Sequence, residues 1–313
     1  MLTSSLTVKQ LVILSGKGGT GKTSISASLM HLSATSHNKA VFVDADVDAA
    51  NLALISQANP ISTHSYWGSH IAEINAQKCN LCGVCHDICR YDAIIKPVSP
   101  EFRYQVNPLL CDGCAACVYQ CPESAIKMVE QEDGEWFHSN TPYGDLFHAE
   151  LFPAAENTGK LVTTVKQNAK LFAEDHQIPL MIIDGPPGIG CPAISASAGA
   201  DLALLVAEPG LSGYHDLERI IKTLAHFKVP AMICINKADI DPITTQKIRQ
   251  LANSQKFLTA AEIPFDDTFP KAMVNGMPIT AFAPDTIASR EIRQIWCHIQ
   301  NFLFGVENET SAN

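Results

Sequence analysis

The sequence predicts an α/β protein: a doubly wound, mostly parallel sheet with a smaller α+β module inserted into it. Three observations carry this prediction. First, apolar runs at 11–14, 41–43, 180–183, 202–207, 231–235 and 257–263 are mostly continuous, and helical segments separate several of them. Strands covered on both faces read this way. Second, a glycine-rich loop, SGKGGTGKT at 15–23, joins the first run to a helical stretch. Third, eight of the eleven cysteines fall in two tight clusters between the second and third runs.

The bulk composition narrows the classes. With 313 residues, 46% apolar and 17% charged, the chain suits a soluble globular protein with a sizeable core. A net charge of −10 argues against a nucleic-acid partner, which needs a basic surface. No apolar run approaches the roughly 20 residues of a membrane span, so no stable membrane insertion is expected. The first apolar stretch is broken at once by GKGGTGK and does not read as a signal peptide. Clustered cysteines read as metal ligands in a reducing cytoplasm rather than as a disulfide framework.

The elements follow in order. LVIL at 11–14 is a short strand, and SISASLMHL after the loop has helical spacing. Gly16-x-x-x-x-Gly21-Lys22-Thr23 satisfies the phosphate-loop pattern. Its glycines, Gly16, Gly18, Gly19 and Gly21, let backbone N–H groups of the loop, with Thr20 and Ser24, face phosphate oxygens at a helix start. Lys22 is expected on the β/γ-phosphates and Thr23 on Mg²⁺. VFVDADVDAANL at 41–52 is a strand running into acidic residues, with Asp44 at its end and Asp46, Asp48 and Asn51 beyond. LMIIDGPPGIG at 180–190 is a buried strand ending in Asp184, whose carboxylate suits a hard cation. AMICINKAD at 231–239 is another strand, closing with Asn236, and EIPFDD at 262–267 brings Asp266 to the same end of the sheet. Ligands are expected at the carboxyl ends of these strands.

The cysteines form a repeat. CNLCGVCHDIC (79–89) and CDGCAACVYQCP (111–122) each read C-x₂-C-x₂-C-x₃-C, and Cys79/Cys111, Cys82/Cys114, Cys85/Cys117 and Cys89/Cys121 all differ by 32. This is the two-cluster bacterial ferredoxin pattern, in which each fourth cysteine serves the other cluster. Cys79, Cys82, Cys85 and Cys121 are expected to hold one [4Fe–4S] cluster, and Cys111, Cys114, Cys117 and Cys89 the second. The first run departs from the pattern: Arg90 stands where the second has Pro122. Zinc is the alternative metal, since C-x-x-C pairs also build zinc ribbons.

In KGGTGKT and in the acidic and NKAD stretches, the chain resembles the MinD/Mrp/nitrogenase-iron-protein group of P-loop ATPases with a deviant Walker A motif. The resemblance covers residues 8 to about 283, and its closest form is a MinD-superfamily ATPase with an inserted ferredoxin domain. It implies that Lys17 reaches across a dimer to the partner's nucleotide, that Asp46 polarises the attacking water, and that Asp44 lies near Mg²⁺. It implies further that Gly188 senses the γ-phosphate and Asn236 reads adenine, with Asp266 adding contacts to the base. NKAD also fits the guanine-reading N-K-x-D pattern, and ATP is favoured because the other motifs match ATPases.

The domains expected are an ATPase from 1–71 and 136–313 and a module at 72–135. Segment 136–160 returns the chain to the core, with His138, His148 and Lys160 in surface or packing roles. Cys191 lies seven residues after Asp184, where the nitrogenase iron protein has a cysteine on a cluster shared across its dimer, so a dimer-interface thiol is the expectation weighed against simple packing. Cys234 and Cys297 read as packed residues, and the stretch from 287 as an amphipathic helix lying on the ATPase, followed by a polar tail.

Three functions remain open at this stage. One is an ATPase whose nucleotide-driven dimer closure is coupled to electron transfer through two clusters to a redox partner. The second is a metal or cluster assembly factor with a metal-client protein. The third is a MinD-like partner-positioning switch with structural clusters. The dimer is either of identical copies or with a related ATPase.

Overall fold

A computed structural model describes residues 7–36, 38–99, 102–153, 155 and 159–305. The polar tail expected after the last helix lies outside them. In chain order the elements begin with β1 (Lys9–Ser15), α1 (Lys22–Ala34), β2 (Ala40–Asp44), α2 (Leu52–Ile55) and β3 (Asn59–Ile74). The cysteine-rich stretch holds α3 (Val84–Ile88), β4 (Ile94–Ile95), β5 (Gln105–Val106) and α4 (Ala116–Gln120). Then come β6 (Ile126–Thr141), β7 (Gly144–Leu151), α5 (Lys160–Asp175), β8 (Leu180–Pro187) and α6 (Cys191–Ser197). The last part is β9 (Leu202–Ala207), α7 (Leu211–Phe227), β10 (Ala231–Asn236), α8 (Pro242–Ser254), β11 (Leu258–Ile263), α9 (Thr268–Val274), α10 (Ile279–Phe282) and α11 (Ile287–Phe304).

The chain divides into two compact units, one of residues 1–64, 136–150 and 157–313, the other of residues 65–135 and 151–156. The division falls inside β3 and β6. Among the described residues the main sheet has the order β11-β10-β9-β1-β8-β2-β7-β6-β3. All six continuous apolar runs are strands of it. Around β1 the pairing is parallel: β1 with β8 and β9, β9 with β10, β10 with β11, β2 with β8 and β7. Every residue of β2, β9 and β10 is buried, which explains why these strands show no alternation. Residues 136–150 belong to the first unit, to which the chain returns here. They form the end of β6 and nearly all of β7, and β7 pairs with β2 through Phe42↔Leu146 and Val43↔Phe147. His148 is buried there, its Nε2 2.8 Å from Ser139 Oγ, and His138 Nε2 is paired with Asp145 Oδ1 at 2.7 Å. The C-terminal amphipathic helix α11 buries Ile292, Ile295, Trp296, Ile299 and Leu303 in the same core as α1 and β11.

The second unit is built as a repeat. Helices α3 and α4 start 32 residues apart, and backbone bonds recur at that offset: His86 N–H to Gly83 O and Val118 N–H to Ala115 O, both 3.0 Å. Two bonds cross between the halves. Asn75 N–H donates to Ala125 O and Asn107 N–H donates to Ala93 O, each at 2.7 Å. The left-handed turns recur too, at Leu81/Gly113, Gly83/Ala115 and Asp92/Ser124. The small core contains Ala72, Cys85, Ile94, Tyr104, Cys117 and Ile126, so cysteine is part of what the unit buries.

Candidate functional site

The first candidate site lies where β1 turns into α1. Gly19 and Gly21 have φ of +79° and +91°, a region other residues enter at a cost. A Cβ on Gly21 would stand 2.4 Å from Asn236 Nδ2, and one on Gly16 would stand 2.2 Å from Asp216 Cβ. The loop is held by its neighbours: Asn236 Nδ2 donates to Thr20 O at 2.7 Å, Lys237 Nζ to Gly19 O at 3.2 Å, and Gly188 N–H to Ser15 O at 2.9 Å.

Charge converges beneath the loop. Lys22 Nζ is 2.9 Å from Asp184 Oδ1, with both side chains buried, and Ser26 Oγ donates to the same oxygen at 2.8 Å. Burial alone would lower the Lys22 ammonium, but Asp184, with Asp44 and Asp46 near it, holds the pKa above its ordinary value. Asp44 sits opposite Asp184 on the adjacent strand. Burial first, and Asp184 second, push its pKa up to about 8. Its two oxygens accept from Asp46 N–H at 3.1 Å and Leu52 N–H at 3.0 Å, so Asp44 anchors the loop that carries Asp46. Asp46 is half-buried and raised chiefly by burial. Asp48 is exposed, and Asn51 bonds its own loop through Nδ2 to Ala49 O at 2.9 Å. Thr23 and Ser24 are half-buried in the first turn of α1.

Among the described residues, three buried polar atoms at this site lack a hydrogen-bond partner: Thr20 Oγ1, Asp184 Oδ2 and Asn236 Oδ1. An orphaned carboxylate oxygen, a hydroxyl and an amide carbonyl are the groups a Mg²⁺–nucleotide would satisfy, so the residues fit that ligand. Asp266 accepts from Thr268 N–H at 2.8 Å at the start of α9.

Lys17 points along the chain's own surface. Its Nζ is 3.2 Å from Glu208 Oε2, and Lys237 Nζ is 3.0 Å from Glu208 Oε1. Burial would raise Glu208, but the two lysines hold it below its ordinary pKa. Cys191 is exposed at the start of α6, Cys234 is fully buried in β10, and Cys297 is half-buried in α11.

The second candidate site is the cysteine unit. A cavity is lined by Cys79, Cys82, Cys85 and Cys121, together with Tyr104 and Glu123. A second cavity is lined by Cys89, Cys111, Cys114 and Cys117, together with Tyr91 and Asp112. The sulfurs are thus grouped crosswise, three from one half and the fourth from the other. Exposure repeats as well: Cys82 and Cys114 are exposed, Cys85 and Cys117 buried, and the remaining four lie between. Burial and the neighbouring thiols push Cys85 up to about 11 and raise Cys117, so a bound cation would have to displace protons. Among the described residues, no three His, Cys, Asp or Glu side chains gather to hold one metal ion. Each cysteine quartet walls a cavity instead of meeting at a point.

The CobQ/CobB/MinD/ParA nucleotide-binding domain matches residues 11–279, most of the chain. The chain belongs to this family. It is 34% identical over 296 residues to the uncharacterized protein MJ0578 of Methanocaldococcus jannaschii, spanning 95% of this chain and 98% of that one. In structure it resembles the septum site-determining protein MinD with Mg-ADP from Pyrococcus horikoshii, with TM-score 0.58, 17% identity, and coverage of 95% and 98%. It also resembles the MinC:MinD cell division complex of Aquifex aeolicus, with TM-score 0.56, 17% identity, and coverage of 97% and 99%. At such identities the two structural likenesses show the fold.

On this MinD/ParA-type domain, four residues, three around the loop and one on α5, were not legible in the sequence. Ser26 and Glu208 carry no motif. Lys237 belongs to NKAD, but its contact with the glycine loop depends on β10 ending beside β1's loop. Lys166 on α5 is buried and donates to Ser195, Ala196 and Ala198 carbonyls at 3.2, 2.8 and 2.7 Å, closing the end of α6. Burial lowers its pKa to about 8.

Proposed function

We propose that this chain is an ATP-hydrolysing MinD/ParA-family protein that carries two [4Fe–4S] clusters, its nucleotide-driven dimer closure coupled to electron transfer to a partner. The observation that carries the reading is the crosswise sorting of eight cysteines into two cavities, one quartet each. A zinc site needs four thiolates converging on one ion, whereas a cube holds each thiolate at its own corner, and walled cavities favour the cube. Cys79, Cys82, Cys85 and Cys121 would hold one cluster, and Cys89, Cys111, Cys114 and Cys117 the other. When bound, such clusters supply one-electron transfer.

The chain's own residues supply the nucleotide chemistry. Lys22 binds the β/γ-phosphates, and Thr23 holds Mg²⁺ with Asp184 beside it. Asp46, presented by the loop that Asp44 anchors, orients the attacking water. Gly188, bonded to Ser15, registers the γ-phosphate and passes the change to α6. Lys17 leaves Glu208 and crosses to the partner copy's nucleotide. Asn236 Oδ1 is left without a partner among the described residues and can accept from an adenine amino group, which suits ATP.

A partner-docking switch of the MinD kind is the second reading, favoured by a likeness to MinD that runs almost the whole length of the chain. An anaerobic EPR-monitored redox titration separates the two. It is run without nucleotide, and with Mg-ATP on Asp46→Asn to hold the bound state. The electron-transfer reading expects two four-iron signals per chain and a shift with ATP. Two signals with unmoved potentials favour the switch, and a chain purified anaerobically without iron or sulfide ends the cluster reading.

A further inference from the structure

The internal repeat supplies a control for the surface around each cavity, because every position from 75 to 95 has a counterpart 32 residues later. Around the second cavity, Leu109 and Leu110 precede Cys111 and are 66% and 49% exposed. In the first half the same places hold Gln77 and Lys78. Tyr119, two residues past Cys117 and 86% exposed, answers to Asp87. Tyr91, on the wall of the second cavity, answers to Glu123 on the wall of the first. Ile95, half exposed beside Ile94, answers to Lys127. At all five positions one half shows an apolar or aromatic side chain to solvent and the other a polar or charged one. Two pairs run the other way, Val84 against Ala116 and Ile88 against Gln120, but those side chains are only 37% and 36% exposed.

The backbone does not require this difference, since both halves fold alike. An exposed apolar group of this kind marks a contact surface. Its charges point to the occupant. Arg90, Asp92 and Lys96 adjoin Tyr91 and Ile95 in the chain, Asp112 lines the cavity, and the four charges cancel, on a chain whose net charge is −10. Arg90 stands where the other half has Pro122, so it contributes to this balance. A basic partner finds no net charge to match there, and an anionic membrane meets two carboxylates and an acidic chain.

We infer that the surface around the second cavity docks a one-electron-carrier protein with an apolar, near-neutral contact face, while the first cavity faces solvent through charged residues. The inference rests on the cluster reading. One electron passes between the cluster held by Cys89, Cys111, Cys114 and Cys117 and the partner's own carrier, one site gaining what the other loses.

The test uses the full chain on gold electrodes coated with methyl-, carboxylate- or amine-terminated monolayers, the methyl surface standing in for an apolar, uncharged partner face. The variant Leu109→Gln, Leu110→Lys, Tyr119→Asp gives the second half the surface of the first. Wild type should exchange electrons fastest on the methyl surface, with little dependence on salt. The variant should lose about tenfold in rate there while keeping its iron, sulfide and ATP hydrolysis. The reverse variant, Gln77→Leu with Lys78→Leu, should gain exchange on the methyl surface through the first cavity. Equal rates for wild type and triple variant, or fastest exchange on the amine surface, would overturn the inference. So would binding of wild type but not the variant to phosphatidylcholine–phosphatidylglycerol vesicles, which would put a membrane in the partner's place. Iron and sulfide analysis of the same samples reports the cluster reading separately, and a chain free of both removes the two together.

Discussion

Lys22 and Asp184 form a buried pair, and a buried charge left alone is costly. Lys22→Met should therefore do two things: abolish nucleotide binding and strand the Asp184 carboxylate. Thermal melts of the ligand-free protein should show about 3–5 kcal/mol lost, against a much smaller loss for the double change Lys22→Met, Asp184→Leu. The motifs single out Lys22 and Asp184 individually. Their contact, and Ser26 on the same oxygen, depend on β1 and β8 pairing in register. His148 makes a second prediction at this scale. Burial lowers its pKa to about 4 from an ordinary 6.5, so the folded state favours the neutral ring. Its contribution to stability is present above pH 6.5 and is lost as pH falls toward 4, by roughly 3 kcal/mol in all. Urea midpoints between pH 7 and 4 should fall less steeply in His148→Phe.

Helix α6 follows the Gly188 turn, and Lys166 on α5 closes its carboxyl end with three bonds. Lys166→Met should cost about 1–3 kcal/mol, because the buried Ala196 carbonyl and two partly buried ones are left without this donor. Hydrogen exchange over 191–197 should quicken, since the helix loses its fixed end. A variant with normal exchange there would show that the rest of the core holds α6. Elements such as β1, β2, β8, β9 and β10 were readable because both faces are buried and the residues are continuously apolar. Strand β3 was not. Most of NPISTHSYWGSHIAEI is exposed, so it carries no burial period to read.

For the whole molecule, the two units rest on different physics. The ATPase unit has a large aliphatic core, whereas the second unit's core includes Cys85 and Cys117, with six further cysteines around or beside it. On the proposed cluster reading, removing iron with an anaerobic chelator should unfold the second unit, seen as rapid proteolysis within 65–135. Nucleotide binding and the main thermal transition of the ATPase unit should persist. Simultaneous loss of both would show that the units fold as one. If ATP and the clusters are linked, the effect is reciprocal: a potential shifted by about 59 mV implies a tenfold change in ATP affinity between reduced and oxidised protein.

The sequence alone showed the phosphate-loop motif, the buried strands and the two cysteine runs, because each is a local pattern of spacing or apolar continuity. It left open which residues meet. Lys22 pairing with Asp184, Glu208 holding Lys17, and Lys166 closing α6 join positions far apart in the chain, and only the folded sheet brings them within bonding distance. The unequal surfaces of the two cavities lie between these cases. The residues were visible all along, but their exposure, and the likeness of the two halves that makes the difference informative, exist only in the tertiary structure.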